Sequence, residues 1–453
     1  MGVRPSRRRP CLGACVVARA TAARRCALAL LGERRRRGAR ARDLLRGSDE
    51  LGALSERDRG FAVRLVMGVT AAEGELDRVV NAHLRRGAKL EPRVRDALRL
   101  AAFDLLYLGG RPDVCVSQGV ELVRGVAPRA AGLANAVLHR VAEKDVPTLA
   151  AARARVSAGE FGASDLARVG ALPKWLCRRA MDSLGADAAA WATGALEPAG
   201  AWVAANRARH TADEAAVLLD RAGCEPTAGP LAGSFQLGAP ARLAPSGLVE
   251  SVDALPCDIA AQEVALSCAP VPGERVLEVG QGRGTKTVLL QGVAMAAGGP
   301  CEIVAVESDE RRSERAAARM EAAGIAGHVC CTCCDGRALD ASLGTFDLVF
   351  IDAPCTGTGT LARHPEIAWS LSEDAPETLA ALQGELLASG AARVAPGGRL
   401  VYATCSVLAE EDERVVEEFL ASPAGADFEL ERAERTAWPG ADTHFHAHLV
   451  RRS

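Results

Sequence analysis

The chain has 453 residues, too many for one ordinary hydrophobic core, so two or three domains are expected. Its 49% hydrophobic and 25% charged residues are typical of a soluble globular protein, and no apolar stretch approaches the length of a membrane span. The 15 cysteines are scattered through a chain too long for a small secreted disulfide scaffold. We therefore expect a cytoplasmic protein with reduced thiols.

The N-terminal segment is strongly basic. The first 46 residues contain 14 arginines against Glu33 and Asp43, although the net charge of the whole chain is only −2. A short apolar run at residues 11–18 is followed at once by more arginines, which excludes an export signal. A basic arm of this kind commonly contacts nucleic acid, and a solvated tail is the alternative. We take residues 1–19 as a basic tail.

Residues 20–145 carry apolar side chains at helical spacing and predict an all-α bundle. In the clearest helix, residues 93–108, one face carries Val94, Leu98 and Leu105. This segment contains no catalytic constellation of its own. Residues 146–255 predict a linker and a small α+β subdomain, because a strand at residues 202–206 precedes a capped helix at residues 211–222 and Pro/Gly-rich turns.

From residue 256 to residue 453 strands and helices alternate, which indicates an α/β domain built on a parallel sheet. The predicted buried strands are residues 275–279, 303–306, 329–331, 346–351 and 400–403. Residues 445–450 are expected to close an antiparallel edge of the sheet. Ligands of such domains bind where the carboxyl ends of the parallel strands meet.

A glycine-rich loop follows the first of these strands and leads into a helix. The loop consists of Gly280, Gln281, Gly282, Arg283, Gly284, Thr285 and Lys286. Glycines allow the backbone to turn tightly and to approach a ligand closely. Acids follow the next three strands at Glu307, Asp335 and Asp352. This series of acids suits the phosphate-free adenosyl group of S-adenosylmethionine better than the pyrophosphate of NAD, and solvated strand-end acids are the alternative.

Two cysteines, Cys355 and Cys405, each follow the end of a predicted buried strand, and Cys355 lies three residues after Asp352. One such cysteine is usually a small buried hydrophobe, but two at one sheet edge favour covalent catalysis. Thiolate attack at C6 of cytosine makes C5 nucleophilic enough to take a methyl group. The reaction also needs an acid near N3 and a proton acceptor, and these three residues are of the right types.

Two other clusters of candidate metal ligands occur in this domain. Cys330 to Cys334 lack the spacing of zinc ligands, so we expect no metal. His444, His446 and His448 would share one face of a strand, and a solvated edge explains them as well.

At the two cysteines the sequence resembles the RNA 5-methylcytosine methyltransferases of the Sun/RsmB type. Residues 352–357 are similar to the fourth motif of that family, residues 404–406 to the sixth, and residues 361–369 to its Arg/Pro/Trp stretch. The resemblance implies that Cys405 attacks C6, that Cys355 assists release of the product, and that Asp352 contacts the target ring and the methyl donor. It also implies a Rossmann-like class I methyltransferase domain, S-adenosylmethionine as cofactor and 16S rRNA as substrate.

The resemblance extends upstream, since residues 20–144 are similar to the NusB-like RNA-binding domain of these bacterial enzymes. It implies RNA binding by the helical bundle and by the segment 146–255, and we expect a monomer.

One departure concerns the loop: Arg283 and Thr285 replace a proline and a glycine of the family's first motif, whereas Lys286 is kept. The departure leaves open an RNA-binding assembly or regulatory factor with a degenerate methyltransferase domain. An amino-directed methyltransferase is the third hypothesis. It would use a loop without a thiol, so Cys355 argues against it.

Overall fold

The structure, a computed structural model, describes residues 19–436 and 438–453. The chain divides into two compact units, of which the first ends at Ala151 and the second begins at Ala152. Nearly all of the predicted basic tail, residues 1–18, lies outside the described residues. In the part of the chain that is described, no helix has the length and apolar character needed to cross a bilayer.

The first unit is built from helices. They are α1 (Ala22–Arg37), α2 (Ala41–Arg46), α3 (Asp49–Gly52), α4 (Glu56–Ala71), α5 (Glu73–Ala82), α6 (Pro92–Tyr107), α7 (Pro112–Val126), α8 (Ala131–Arg140) and α9 (Val146–Ser157), the last of which contains the boundary between the units. Ser55 caps α4 by accepting a hydrogen bond from the Asp58 amide at 3.2 Å, and Pro92 occupies the first turn of α6. The helices enclose fully buried side chains such as Leu65, Leu98 and Phe103.

The second unit begins with three short helices and a small sheet. The helices are α10 (Ala163–Val169), α11 (Lys174–Leu184) and α12 (Ala188–Gly194). The sheet contains β1 (Trp202–Ala205), β2 (Pro226–Ala228), β3 (Ser234–Leu237) and β4 (Ala254–Pro256), in the antiparallel order β2-β3-β1-β4. Helix α13 (Ala212–Arg221) joins β1 to β2 and starts with a capping box between Thr211 and Glu214. This arrangement is the small α+β subdomain that the sequence predicts.

The rest of the second unit is a seven-stranded mixed sheet with helices on both faces. Its elements are α14 (Ile259–Ser267), β5 (Arg275–Val279), α15 (Thr285–Ala296), β6 (Glu302–Glu307), α16 (Glu310–Ala323), β7 (Val329–Cys333), β8 (Phe346–Asp352), α17 (Ile367–Ser370), α18 (Ala375–Ala391), β9 (Val394–Thr404), α19 (Glu413–Ala421), β10 (Phe428–Arg435) and β11 (Phe445–Arg451). The strand order is β10-β11-β9-β8-β5-β6-β7. Strands β5 to β9 run parallel, and β11 pairs antiparallel with both of its neighbours, β9 and β10.

The prediction that residues 445–450 close an edge of the sheet is wrong. Strand β11 pairs with β9 on one side and with β10 on the other, so β10 is the edge strand. Strand β11 alternates apolar residues that pack on one face, including Phe445 and Ala447, with histidines on the other. A strand covered on both faces is protected from water, and this explains its place inside the sheet.

Apolar cores on both faces of the sheet fix the strands. One core packs Leu386 and Val415, from α18 and α19, against one face of the strands, and the other packs Val264 and Leu290, from α14 and α15, against the opposite face. Burying each such side chain contributes about 1.5–3 kcal/mol. Because Val279 pairs with both Val306 and Ile351, and Ile351 pairs with Tyr402, the carboxyl ends of β5, β6, β8 and β9 meet at one edge.

Candidate active site

The predicted glycine-rich loop lies at this edge, between β5 and α15. Gly280 has a φ of +91°, and a Cβ at this residue would stand 2.3 Å from the carbonyl oxygen of Asp352. Only glycine adopts this conformation without strain and leaves room for the end of β8. Gly282 and Gly284 also have positive φ angles. The loop therefore presents bare backbone at the ends of the strands.

Glu307, at the end of β6, holds the loop through its carboxylate. The Gly282 amide donates to Oε2 of Glu307 at 2.9 Å, and the Asp309 amide donates to Oε1 at 3.0 Å. Two further oxygens, Oε1 of Glu278 and Oε1 of Gln281, are buried without a partner among the described residues. Buried polar atoms of this kind normally find a hydrogen-bond donor. The bare backbone, the strand-end carboxylate and these unpartnered oxygens fit a ligand that carries several hydroxyl or amino donors, as the adenosyl group does.

Lys286 connects the loop to the end of β8. Its Nζ lies 2.6 Å from Oδ1 of Asp352, and 13% of the lysine side chain is exposed. Burial alone would lower the pKa of Lys286, but the charge and hydrogen bond of Asp352 outweigh it, and the pKa is raised. Lys286 therefore keeps its positive charge at neutral pH, and it lies between the loop and the cysteines.

The remaining residues predicted for this region sit at its margin. Arg283 is exposed, and Thr285 is the first residue of α15. Asp335 follows β7 and is half exposed, and it forms a bidentate ion pair with Arg337. Hydrogen bonds from Arg337 lower the pKa of Asp335 to about 2. Asp335 is thus a charged, solvated acid in this structure.

The two predicted cysteines meet on the other side of Asp352. The sulfur of Cys355 lies 3.1 Å from the sulfur of Cys405, and the Cys405 amide donates to the sulfur of Cys355 at 3.2 Å. Both side chains are partly buried. The hydrogen bond to Cys405, followed by burial, raises the pKa of the Cys355 thiol well above its usual range. Cys355 consequently keeps its proton at neutral pH, and either sulfur can be the donor in the contact between the two thiols.

A buried carboxylate that the sequence analysis missed lies behind the cysteines. Glu411 accepts hydrogen bonds from the amide of Thr356 at 2.8 Å, from the hydroxyl of Thr356, from the hydroxyl of Ser406 at 2.6 Å and from the amide of Gln383 at 3.2 Å. Thr356 and Ser406 directly follow the two cysteines. Glu411 belongs to a run of four acids, residues 410–413, which leads into α19, and this run is the sequence signal that could have identified it.

The three short helices of the second unit also contact the cysteine loops. Trp191 donates its indole N–H to the carbonyl oxygen of Thr358 at 2.9 Å, and the Ala409 amide donates to the hydroxyl of Ser183 at 2.8 Å. Val407 and Leu408 are buried in the same apolar cluster as Leu176. The segment predicted as a linker thus supports both loops.

A second missed cluster joins three segments near Lys286. Arg363 forms ion pairs with two buried acids, Asp258 and Asp442, and the Arg363–Asp442 distance is 2.9 Å. The Asp442 amide also donates to Asp258 at 3.1 Å. Arg363 lies in the Arg/Pro/Trp stretch, so the sequence showed its resemblance but not its two partners.

The structure overturns the prediction of a solvated edge for the three histidines. His444, His446 and His448 are all buried, with side chains no more than about a tenth exposed, and Nδ1 of His446 lies 2.9 Å from Nε2 of His448. Burial, followed by the charge of Lys286, lowers the pKa of His444 well below its usual range. His444 therefore lies as a neutral ring within the electrostatic reach of the Lys286–Asp352 pair.

Comparisons with known proteins agree with this geometry. Residues 265–449 match the family model described as 16S rRNA methyltransferase RsmB/F, and residues 21–143 match the NusB family. Ribosomal RNA small subunit methyltransferase B of Thermus thermophilus is 34% identical over 389 residues, which cover 85% of this chain and 84% of that protein. The chain belongs to this family of methyltransferases.

Other relatives extend the match. The protein of the same description from Escherichia coli O6:K15:H31 is 31% identical over 417 residues, covering 88% of this chain and 92% of that protein. The crystal structure of PH0851 has a TM-score of 0.72 and 22% identity, covers 94% of this chain and 98% of its own, and shows the fold alone. Family membership confirms the predicted fold class, the predicted RNA methyltransferase and the predicted methyl donor, S-adenosylmethionine.

Proposed function

We propose that the protein methylates C5 of a cytidine in 16S rRNA through a covalent bond between Cys405 and C6 of the base. The observation that carries this proposal is the 3.1 Å contact between the sulfurs of Cys355 and Cys405, beside Asp352. Two thiols in contact at a ligand-binding sheet edge have no structural need for each other. They suit a reaction that makes and then breaks a carbon–sulfur bond.

The hydrogen-bond pattern distinguishes the roles of the two thiols. Cys355 keeps its proton, because its pKa is raised, and in the proposed mechanism it is the donor in its 3.1 Å contact with Cys405. A donated hydrogen bond stabilises the Cys405 sulfur as a thiolate, which is the nucleophilic form. Cys405 is therefore the sulfur that attacks C6.

The reaction steps follow from this assignment. An electron pair of the Cys405 thiolate forms the S–C6 bond, and the C5–C6 π electrons move to C5, which takes the methyl group. A base then removes the C5 proton, the electrons of that C–H bond restore the C5–C6 double bond, and the S–C6 bond breaks with its electrons on Cys405. The thiol of Cys355 assists this release by hydrogen bonding to the departing sulfur. The target cytidine must leave its stack to reach the pocket.

The other residues hold the two reactants. The pair of Lys286 and Asp352 lies between the loop and the thiols, where Asp352 can contact the ring near N3. The backbone of residues 280–286, together with Glu307 and Asp335, would hold S-adenosylmethionine. When bound, this donor would supply an electrophilic methyl group on a sulfonium, and the electrons of the broken S–CH3 bond would stay on its sulfur, which leaves as a neutral thioether.

RNA binding by the first unit is part of the proposal. A groove of about 780 Å³ in this unit is lined by Arg19, Arg25, Arg35, Arg36, Arg93 and Arg124. Arg35 and Arg124 form ion pairs with Asp96 and Glu121, which also line the groove. The excess of positive charge suits RNA phosphates. We extend the proposal to exposed arginines of the small α+β subdomain, and we place the protein in the cytoplasm, where rRNA is made in bacteria.

The groove is tested by exchanging Arg36 and Arg93 for glutamine. The salt dependence of RNA binding should weaken by about 0.9 in log–log slope for each phosphate that the variant no longer neutralises. Arg111→Gln is the control, since Arg111 is exposed in the same unit but pairs with Asp113 outside the groove. An equal change in slope for the control would contradict this assignment.

The covalent mechanism is tested with the two thiol variants. Cys405→Ala should reduce methyl transfer to 16S rRNA by roughly 10³-fold or more, because it removes the nucleophile. Cys355→Ala should instead accumulate a protein–RNA adduct that survives denaturing gel electrophoresis. Cys330→Ala, which removes an exposed thiol of β7, is the matched control. Near-normal turnover by Cys405→Ala would refute the proposal.

A further inference from the structure

The cysteine loops share a single buried anchor. Glu411 is fully buried, and each of its carboxylate oxygens accepts two hydrogen bonds. Three of the four donors belong to Thr356 and Ser406. These residues follow Cys355 and Cys405 by one peptide bond, so the anchor acts on the backbone that carries each sulfur.

Gln383 extends the anchor to the other side of Cys355. Its amide nitrogen donates to the carbonyl oxygen of Pro354 at 2.8 Å as well as to Glu411 at 3.2 Å. The residues before and after Cys355 are therefore both tied to the same buried pair. On the Cys405 side, the hydroxyl of Ser406 bonds to Glu411 and accepts the Leu408 amide at 3.0 Å, which fixes the turn after the strand.

The negative charge of Glu411 suits a side chain that accepts four hydrogen bonds from the cysteine loops and Gln383. All four groups that contact its carboxylate act as donors, so the ionised form satisfies every one of them. Burial raises the pKa of Glu411, and these hydrogen bonds oppose that rise. Thr356 and Ser406 also contact each other through their hydroxyl oxygens at 3.3 Å. The three side chains form one hydrogen-bonded unit beneath the thiols.

We propose that Glu411 is a positioning residue for the methyl transfer reaction: through Thr356 and Ser406 it sets the distance at which the Cys355 thiol reaches the Cys405 sulfur. The inference rests on the proposed function, because the thiol contact matters only if Cys405 attacks the base. Glu411 also raises the pKa of Cys355 through its negative charge, after the larger effects of Cys405 and of burial. It therefore helps Cys355 to remain the hydrogen-bond donor of the pair.

The neighbouring residue provides a matched control. Asp412 is also fully buried, but it accepts a hydrogen bond from Thr404 at 2.6 Å and pairs with Arg435 at 3.2 Å. It contacts one cysteine loop and does not link the two. Burial raises the pKa of Asp412 well above its usual range, so asparagine is a close mimic of its neutral form.

The test uses RNA with 5-fluorocytidine at the target position, which traps the adduct because fluorine cannot leave as a proton. Glu411→Gln should slow trapping by about 10²-fold, as a displacement near 1 Å at a reacting group does. Asp412→Asn should trap within a few-fold of the wild type. Calorimetric binding of S-adenosylmethionine should be unchanged in both variants.

A second measurement separates positioning from simple stability. In a Cys405→Ala background, alkylation of Cys355 is followed against pH by peptide mass spectrometry. Removing the negative charge at residue 411 should move the midpoint to lower pH, whereas Asp412→Asn should leave it in place. The remaining titratable groups around Cys355, of which Tyr402 is one, are the same in all of these variants.

The outcomes are distinct. Wild-type trapping rates in Glu411→Gln, or equal slowing in Glu411→Gln and Asp412→Asn, would overturn the inference while leaving the covalent mechanism intact. A wild-type protein that forms no adduct would remove the covalent mechanism and this inference with it. If Glu411→Gln fails to fold, the rate of adduct trapping is measured in Thr356→Val and Ser406→Ala instead. Unaltered trapping in both of these variants would overturn the inference.

Discussion

The loop that we propose to hold the donor and the loops that carry the thiols each rest on a fully buried carboxylate, and the protein satisfies the two carboxylates differently. Glu278 accepts a hydrogen bond from Thr287 at 2.6 Å, and its second oxygen has no partner among the described residues. Glu411 accepts two hydrogen bonds on each oxygen. The thiol half of the site is thus built in advance, whereas the donor half keeps hydrogen-bonding capacity for a ligand.

The largest effect is expected where the two halves meet, at the Lys286–Asp352 pair. Lys286→Met should lower kcat/KM by about 10²- to 10³-fold, because it removes the charge that holds Asp352 in place between the proposed donor loop and the thiols. The measurement is methyl transfer from labelled donor together with the donor Kd. Lys174→Met, an exposed lysine at the start of α11, is the control. If the losses of kcat/KM in Lys286→Met and Asp352→Asn simply add when the two substitutions are combined, the pair does not couple the two halves of the site.

Gly280→Ala should disrupt the donor half and displace the end of β8. The added Cβ would stand 2.3 Å from the Asp352 carbonyl oxygen at a φ of +91°. We expect a loss of stability of more than about 1 kcal/mol and a weaker donor Kd. Gly298→Ala is a matched control, since its φ is +121° and its Cβ would meet no atom within 4 Å. Equal losses in both variants would assign the effect to backbone strain alone.

Glu307→Gln should weaken donor binding without changing the thiols. The substitution weakens the charge-assisted bond from Gly282 and removes an acceptor for ribose hydroxyls, so the donor Kd should rise by about tenfold. Asp335→Asn should have a smaller effect because Asp335 is half exposed and pairs with Arg337. Alkylation rates of Cys355 and Cys405 should be unaltered in both variants, and a change there would contradict the separation of the two halves.

The smallest effect concerns stability against pH. Burial raises the pKa of Glu278 to about 8 from its ordinary 4.5, so the folded protein binds more protons than the unfolded chain between these values. Stability from this group therefore falls as the pH rises from 4.5 to 8. Glu278→Gln lacks this loss, and its Tm should exceed that of the wild type by a few degrees at about pH 8.5 but not at about pH 4.5. A Tm difference independent of pH would show that Glu278 is not titrating.

Local pattern was enough to predict most of the elements and to place the candidate site residues at one edge of the sheet. The strand at residues 275–279 and the loop of residues 280–286 follow from apolar periodicity and glycine spacing, which are properties of neighbouring residues. Cys355 and Cys405 could be placed at one edge because parallel strands end together. The pattern could not show which residues that are far apart in the sequence contact each other. The contacts of Glu411 with Thr356 and of Arg363 with Asp442 join residues that are 55 and 79 positions apart.

The place of β11 illustrates the same limit. Periodicity identified β11 as a strand but could not show which strands pair with it. The three histidines were therefore expected at a solvent-exposed edge of the sheet. His446 and His448 lie instead on a strand with neighbours on both sides, His444 directly precedes that strand, and all three are buried. Local pattern likewise offered no reason for α10 to α12 to contact the cysteine loops, since their apolar faces match many possible partners.

The order of the last strands also constrains how the site is assembled during synthesis. Strand β11 lies between β9 and β10 in space but follows both of them along the chain. The segment before it supplies the Thr443 amide that donates to the Gly359 carbonyl oxygen, while the Gly359 amide donates to the Cys405 carbonyl oxygen. Until residue 451 has been translated, β9 is an open edge and the loop of Cys355 lacks this tie. The loops that carry the two cysteines therefore gain this last hydrogen-bonded tie only after the segment around β11 has been made.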